Sequence, residues 1–165
     1  MILIALGANL PGSYGSPEET LKMAMLALEN AGVHIIASSS IWITKPVPAS
    51  LQPLYRNAVV SVRTKHRPES LLKLLHVIEA DFGRVRKERN EARVLDLDLI
   101  AYGETVIHDS TIDIPHPRMQ ERGFVLAPLC EINAQWHHPV LQKTAEELLA
   151  MLPMQDDMHI VSVAA

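Results

Sequence analysis

Residues 84–100 read Arg-Val-Arg-Lys-Glu-Arg-Asn-Glu-Ala-Arg-Val-Leu-Asp-Leu-Asp-Leu-Ile, a basic stretch running straight into an apolar strand with two acids, Asp96 and Asp98. Side chains at i and i+2 of a strand share a face, about 6.6 Å apart along the chain. Two carboxylates at that spacing repel by about 3 kcal/mol at an effective dielectric of about 20. Leu95, Leu97, Leu99 and Ile100 mark the strand as largely buried, so water is a poor source of relief. A hard divalent cation supplies it, and carboxylates holding Mg²⁺ are how proteins handle nucleotide phosphates. Residues 84–93 carry five Arg or Lys and two Glu in a chain whose net charge is −4. The pattern reads as a metal site beside a phosphate-binding arm. The competing reading is an acidic pair on the solvated face of an edge strand, preceded by an ordinary charged loop.

Elements able to hold such a site follow from periodicity and punctuation. Residues 2–6 form a short apolar strand ending at Gly7, followed by a Gly/Pro/Ser-rich loop over 8–16. Ser16 caps a helix that starts at Pro17, with Glu18 and Glu19 favourable at its N-terminus. Leu21, Met25 and Leu28 give its apolar stripe, and Gly32 ends it. Residues 33–44 and 58–64 read as strands, the latter with alternating Val60 and Val62. Pro68 opens a second helix with Leu71, Leu72, Leu75, Ile78 and Phe82 at helical spacing, closed by Gly83. The acidic strand spans 94–102, with a hairpin at Gly103-Glu104 and extended pieces at 106–108 and 112–114. Residues 115–118 are a loop, 119–129 one or two helical turns, 144–152 a helix and 159–163 a last strand. The order β-α-β, β-α-β predicts an α+β fold of the ferredoxin-like plait type: a single domain, 1–165, with helices on one face of an antiparallel sheet.

Composition narrows the function classes. The 165 residues are 48% hydrophobic and 21% charged, as in a soluble globular protein with a real core. Net acidity and seven aromatic residues argue against a nucleic-acid or membrane-surface binder. One cysteine, Cys130, suits a reducing cytoplasm, and its apolar neighbours predict a packed, inert thiol. Ile2 to Leu6 are too few for a secretory core, and no run approaches the length of a membrane span. No Gly-x4-Gly-Lys-[Ser/Thr] occurs, which excludes a Walker-type kinase. The eight histidines show no zinc spacing, and adjacent His137 and His138 are expected on the surface.

Further segments complete a set. Gly7-Ala8-Asn9-Leu10 follows the first strand; Thr44-Lys45-Pro46 precedes Gln52-Pro53-Leu54-Tyr55-Arg56-Asn57. Glu79 leads to Gly83-Arg84-Val85-Arg86, then Arg93-Val94-Leu95-Asp96-Leu97-Asp98. Pro115-His116-Pro117-Arg118 and Arg122-Gly123-Phe124-Val125-Leu126 come last. From residue 1 to about Ile132 the chain resembles the 6-hydroxymethyl-7,8-dihydropterin pyrophosphokinase family of folate biosynthesis. The Arg-x-x-Asp-Leu-Asp block with the downstream Pro-His-Pro-Arg is its most specific part.

The resemblance implies transfer of the terminal diphosphate of ATP to the pterin hydroxymethyl group, with release of AMP and help from two Mg²⁺ ions. It implies Asp96 and Asp98 as metal ligands, and Arg84 and Arg93 as catalytic arginines on the phosphates with Arg86 as a third. Glu79, His116 and Arg122 match ATP-contacting positions. Thr44, Val47, Tyr55, Asn57 and Phe124 match the pterin pocket, where a flat heterocycle needs aromatic faces and an amide edge. The substrate hydroxyl is then the nucleophile, and the basic arm is expected to close over ATP as a lid. Small-molecule substrates, no nucleic acid, no membrane, a monomer and a cytoplasmic location complete the expectation. Many members carry Gly-Pro where this chain has Glu91-Ala92, and a proline where it has Lys45. Two other classes stay in view: another plait-fold Mg²⁺-dependent nucleotidyl transferase, and a non-catalytic single-stranded nucleic-acid module. The first gives different products, and the second wants aromatics on its central strands and a basic face.

Overall fold

Helix α1 (Pro17–Asn30) starts where local chemistry says it must. The Ser16 hydroxyl accepts from the Glu19 N–H at 3.3 Å, and the Glu19 carboxylate accepts from the Ser16 N–H at 2.7 Å. This reciprocal cap satisfies two otherwise orphaned donors. Gly32, at φ +78°, ends the turn beyond it. Its inward face is Thr20, Leu21, Ala24 and Leu28, one residue per turn or nearly so. The computed structural model describes residues 1–83, 92–153 and 158–161.

Strands β1 (Ile2–Ala8), β2 (His34–Ser38), β3 (Trp42–Thr44), β4 (Tyr55–Arg63), β5 (Asp96–Tyr102) and β8 (His159–Ile160) form one sheet. Its order is β5-β1-β4-β3-β8, with β2 also on β4 and every pairing antiparallel. A second hairpin joins β6 (Ile107–His108) to β7 (Asp113–Ile114). With β2 and β3 counted as one broken strand, the order is fourth, first, third, second. That is the expected plait. The strand expected over 33–44 divides after Ser38: its register on β4 shifts by one residue before Trp42, and the Ser39 N–H donates to the Val59 carbonyl.

Alternation along the strands sends successive side chains to opposite faces. Ile4, Leu6, Val60, Val62, Leu97 and Leu99 pack under α1 and α2 (Pro68–Asp81), whose Leu71, Leu75 and Ile78 meet them. The other face is also covered, which corrects the expectation of helices on one face. There Leu3, Val59 and Ile100 pack under α3 (Gly123–Asn133) and α4 (Ala145–Ala150). The α3 segment was expected to give only one or two turns; it forms a short 3₁₀ turn (Met119–Glu121) and then eleven helical residues. Gly123 and Pro128 weaken its local propensity, and burial of Val125, Leu126 and Leu129 against the sheet overrides them. His138 is a second correction. It is 4% exposed, and its Nδ1 accepts from the N–H groups of Val140 and Leu141, while His137 is exposed as expected.

The Thr20 hydroxyl is fully buried and has no hydrogen-bond partner among the described residues. Thr20→Val keeps the shape and removes the unsatisfied group, so it is expected to stabilise by about 1 kcal/mol. A denaturant midpoint shifted upward with an unchanged slope is the result to look for.

Candidate functional site

The sheet register makes the floor. Gly7 of β1 lies opposite Asn57 of β4 on one side and Asp96 of β5 on the other, so three adjacent strands contribute one row. A Cβ at Gly7 would stand 3.1 Å from Asn57 Oδ1 and 3.9 Å from Asp96 Cβ. Gly7 therefore keeps a depression open between an amide and an acid. Asp98, two residues along β5, lies on the same face, and both acids line the resulting pocket. The pocket encloses about 690 Å³, its open mouth included.

The acids are not left to repel one another. Arg93 Nη1 donates to Asp96 Oδ2 at 2.6 Å, and Arg122 Nη1 lies 3.4 Å from Asp98 Oδ2. His116 Nε2 is 4.0 Å from the same Asp98 oxygen. The Asp96 and Asp98 side chains also keep 22% and 37% exposure. Arginine pairing and this exposure relieve the repulsion even before a divalent cation is bound. Burial works against the Arg93 charge, but Asp96, with smaller contributions from Tyr55 and Asp98, outweighs it and lifts the guanidinium above its usual range. Burial pushes the His116 ring below its ordinary range, and Asp98 and Arg122 pull it in opposite directions. Its Nδ1 accepts from the Arg118 N–H at 3.1 Å, and Arg122 Nη1 lies 3.4 Å from its Nε2.

The opposite half of the pocket is aromatic and amide in character. Asn57 Nδ2 donates to Thr44 Oγ1 at 2.7 Å, with both residues buried. That bond fixes which way the amide faces. Tyr55, Val47 and Phe124 line the same half, with Phe124 projecting from the first turn of α3. Arg122 stacks its guanidinium 5.5 Å from the Phe124 ring centroid, so one residue touches both the acidic and the aromatic half. Glu131, farther along α3, accepts from the Ser40 N–H and the Trp42 indole, both at 2.7 Å, and thereby ties α3 to the start of β3.

Nine expected residues thus meet in one pocket: Thr44, Val47, Tyr55, Asn57, Arg93, Asp96, Asp98, Arg122 and Phe124. His116 stands at its edge, behind Asp98 and Arg122. Glu79 does not line it. Its carboxylate is 1% exposed and accepts from the Leu97 N–H at 2.7 Å, so α2 holds the outer edge of β5 between the two acids. Glu79 thus holds the β5 backbone instead of standing on the pocket wall. Arg84 and Arg86, and the lid expected from the arm, lie outside the described residues. Sequence reasoning gave no role to Gly7 or Gln52, both of which line the pocket beside Lys45, the residue that stands where a proline is common. A glycine ending an apolar strand was the available signal for the first.

The donor set suits a Mg²⁺ ion. Among the described residues no group of three or more His, Cys, Asp or Glu could hold a metal. Mg²⁺ is usually bound through one or two carboxylates and completed by substrate phosphates and water. Two half-exposed acids on one pocket wall meet that requirement. No described helix is long and apolar enough to cross a membrane.

A plait whose sheet carries paired carboxylates flanked by arginines, facing an aromatic and amide half-pocket, is suited to holding a phosphate-bearing ligand beside a flat heterocycle. Residues 3–134 match the model of the 7,8-dihydro-6-hydroxymethylpterin-pyrophosphokinase (HPPK) family. The chain belongs to that family. It is 41% identical over 143 residues to the 2-amino-4-hydroxy-6-hydroxymethyldihydropteridine pyrophosphokinase of Synechocystis sp., covering 86% of this chain and 72% of that one. It is 37% identical over 139 residues to the folic acid synthesis protein fol1 of Pneumocystis carinii, covering 84% of this chain but only 18% of that protein. A crystal structure of Plasmodium falciparum HPPK-DHPS shares the fold at TM-score 0.73 and 14% identity, over 90% of this chain and 44% of that one.

Proposed function

We propose that this chain transfers the terminal diphosphate of ATP to the hydroxymethyl group of 6-hydroxymethyl-7,8-dihydropterin and releases AMP, a step of folate biosynthesis. One observation carries the reading: the acid–arginine half and the aromatic–amide half of the pocket adjoin across Gly7. That adjacency brings two substrates together and converts a bimolecular reaction into a positioned one.

In this reading Tyr55 and Phe124 stack on the pterin, and Asn57, fixed by Thr44, reads its hydrogen-bonding edge. Val47 lines the loop side of that pocket. The hydroxymethyl oxygen bonds to the β-phosphorus as the α–β bridging bond breaks, so AMP departs with that oxygen. Asp96 and Asp98 would hold two Mg²⁺ ions, which would supply neutralisation of the triphosphate and of charge on the leaving oxygen. Arg93 and Arg122 turn from the acids toward phosphate oxygens, work suited to a permanently charged bidentate fork. Neutral His116 offers a hydrogen bond rather than a second charge beside Asp98. Arg84 and Arg86 extend the same phosphate contact along the arm. The reading takes this stretch as one pyrophosphokinase domain acting as a monomer, and its single cysteine suits the cytoplasm.

Product analysis tests the reading. With ATP, Mg²⁺ and the reduced pterin, AMP should appear in equal amount to diphosphorylated pterin, and not without the pterin. Release of ADP, or of pyrophosphate with an adenylylated pterin, would overturn it in favour of a different transferase. A milder test addresses the floor. Gly7→Ala crowds Asn57 Oδ1, which its bond to Thr44 prevents from swinging away. It is expected to raise the pterin KM about tenfold, a loss of about 1.4 kcal/mol, with the ATP KM nearly unchanged.

A further inference from the structure

Asn9, in the Gly-Ala-Asn-Leu segment after β1, has no part in the reading above, yet it is 2% exposed and uses both ends of its side chain. Its Nδ2 donates to Gln52 Oε1 at 3.1 Å and to the Pro53 carbonyl at 3.2 Å, on the loop that carries Val47 toward the pocket. Its Oδ1 accepts from the Arg93 N–H at 2.8 Å. The Asn9 and Leu10 N–H groups return bonds to the Arg93 carbonyl at 3.0 and 3.2 Å. Arg93 is thus fixed through its backbone by residues 9 and 10 and through its side chain by Asp96. One buried amide joins the loop of the aromatic half to the arginine of the acidic half.

We propose that Asn9 is a positioning residue that sets these two halves in register with each other. It touches neither substrate; it acts through Arg93 and through the 45–54 loop. The chemistry of the amide makes the two arms separable. Asp at this position keeps an acceptor for the Arg93 N–H but has no donor, and while the Gln52 amide can flip to compensate, the Pro53 carbonyl cannot. Ala keeps neither arm. Only the kinetic part of the test rests on the pyrophosphokinase reading.

The experiment compares the wild-type chain, Asn9→Asp and Asn9→Ala by steady-state kinetics and by amide hydrogen exchange. Asn9→Asp is expected to raise the pterin KM about tenfold with a much smaller fall in kcat, whereas Asn9→Ala raises that KM and lowers kcat by about tenfold as well. The Arg93 amide should exchange at least about tenfold faster in Asn9→Ala but not in Asn9→Asp. The Leu97 amide, held by Glu79, should be unchanged in both. Equal kinetics and equal Arg93 exchange in all three proteins would overturn the proposal. So would a fall in kcat accompanied by faster exchange throughout the sheet, because that is loss of stability alone. If the wild type makes no AMP while the exchange pattern holds, the tie between the halves stands and the pyrophosphokinase reading fails.

Discussion

Asp96→Asn and Asp98→Asn are each expected to lower turnover by about a thousandfold or more while the protein stays folded. Asparagine keeps the size of the side chain and removes the charge that a hard cation requires. Losing one ligand then costs both the neutralisation of the triphosphate and its alignment, effects worth several kcal/mol in a transition state. Stability should change little. Each acid is partly exposed and paired with one arginine, and such pairs contribute about 1 kcal/mol or less. For a chain of this size that is a thermal midpoint shift of about 2–4 °C. Single-turnover assays beside thermal denaturation separate the two effects. A wild-type-like rate in either variant rules out the metal role.

Arg93→Ala should come next in magnitude, with kcat reduced by about a hundredfold and the pterin affinity changed far less. Arg93 stands between the arm and β5, and its guanidinium is already within hydrogen-bond reach of an acid on the pocket wall. Incoming phosphate oxygens compete for the same fork. Arg93→Lys should recover only part of the loss, since an ammonium cannot make the paired contact of a guanidinium. Pterin titration without nucleotide, set against kcat, reads the difference. An unchanged kcat in Arg93→Ala would remove this arginine from the chemistry.

What the sequence revealed was whatever is local. The Ser16 cap, the Leu71–Leu75–Ile78 stripe and the same-face pair Asp96 and Asp98 depend only on spacing along one element, and all three stand in the structure. Resemblance then brought Thr44, Asn57 and Phe124 to the site, and the fold seats them there. Features that depend on register stayed hidden. The row Asn57–Gly7–Asp96 exists only once β4 and β5 pair on either side of β1, and no window of sequence contains it. The pairing of Arg122 with Asp98 spans 24 residues, and that of Asn9 with Arg93 spans 84. Glu79 was legible as a helical acid near the site but not as the cap on an edge-strand N–H. The second helical face was obscured for a different reason. Gly123 and Pro128 are poor helix residues, and only the apolar underside of the sheet, Leu3, Val59 and Ile100, makes a helix there favourable.

The most direct measurement counts the ions these two carboxylates hold. Mn²⁺ in place of Mg²⁺, with a non-hydrolysable ATP analogue, should titrate by electron paramagnetic resonance to two bound ions per wild-type chain. In the double variant Asp96→Asn/Asp98→Asn, Mn²⁺ should bind the protein–nucleotide complex no better than it binds free nucleotide. Equal, tight Mn²⁺ binding by wild type and double variant would contradict the assignment of these acids and the mechanism built on them.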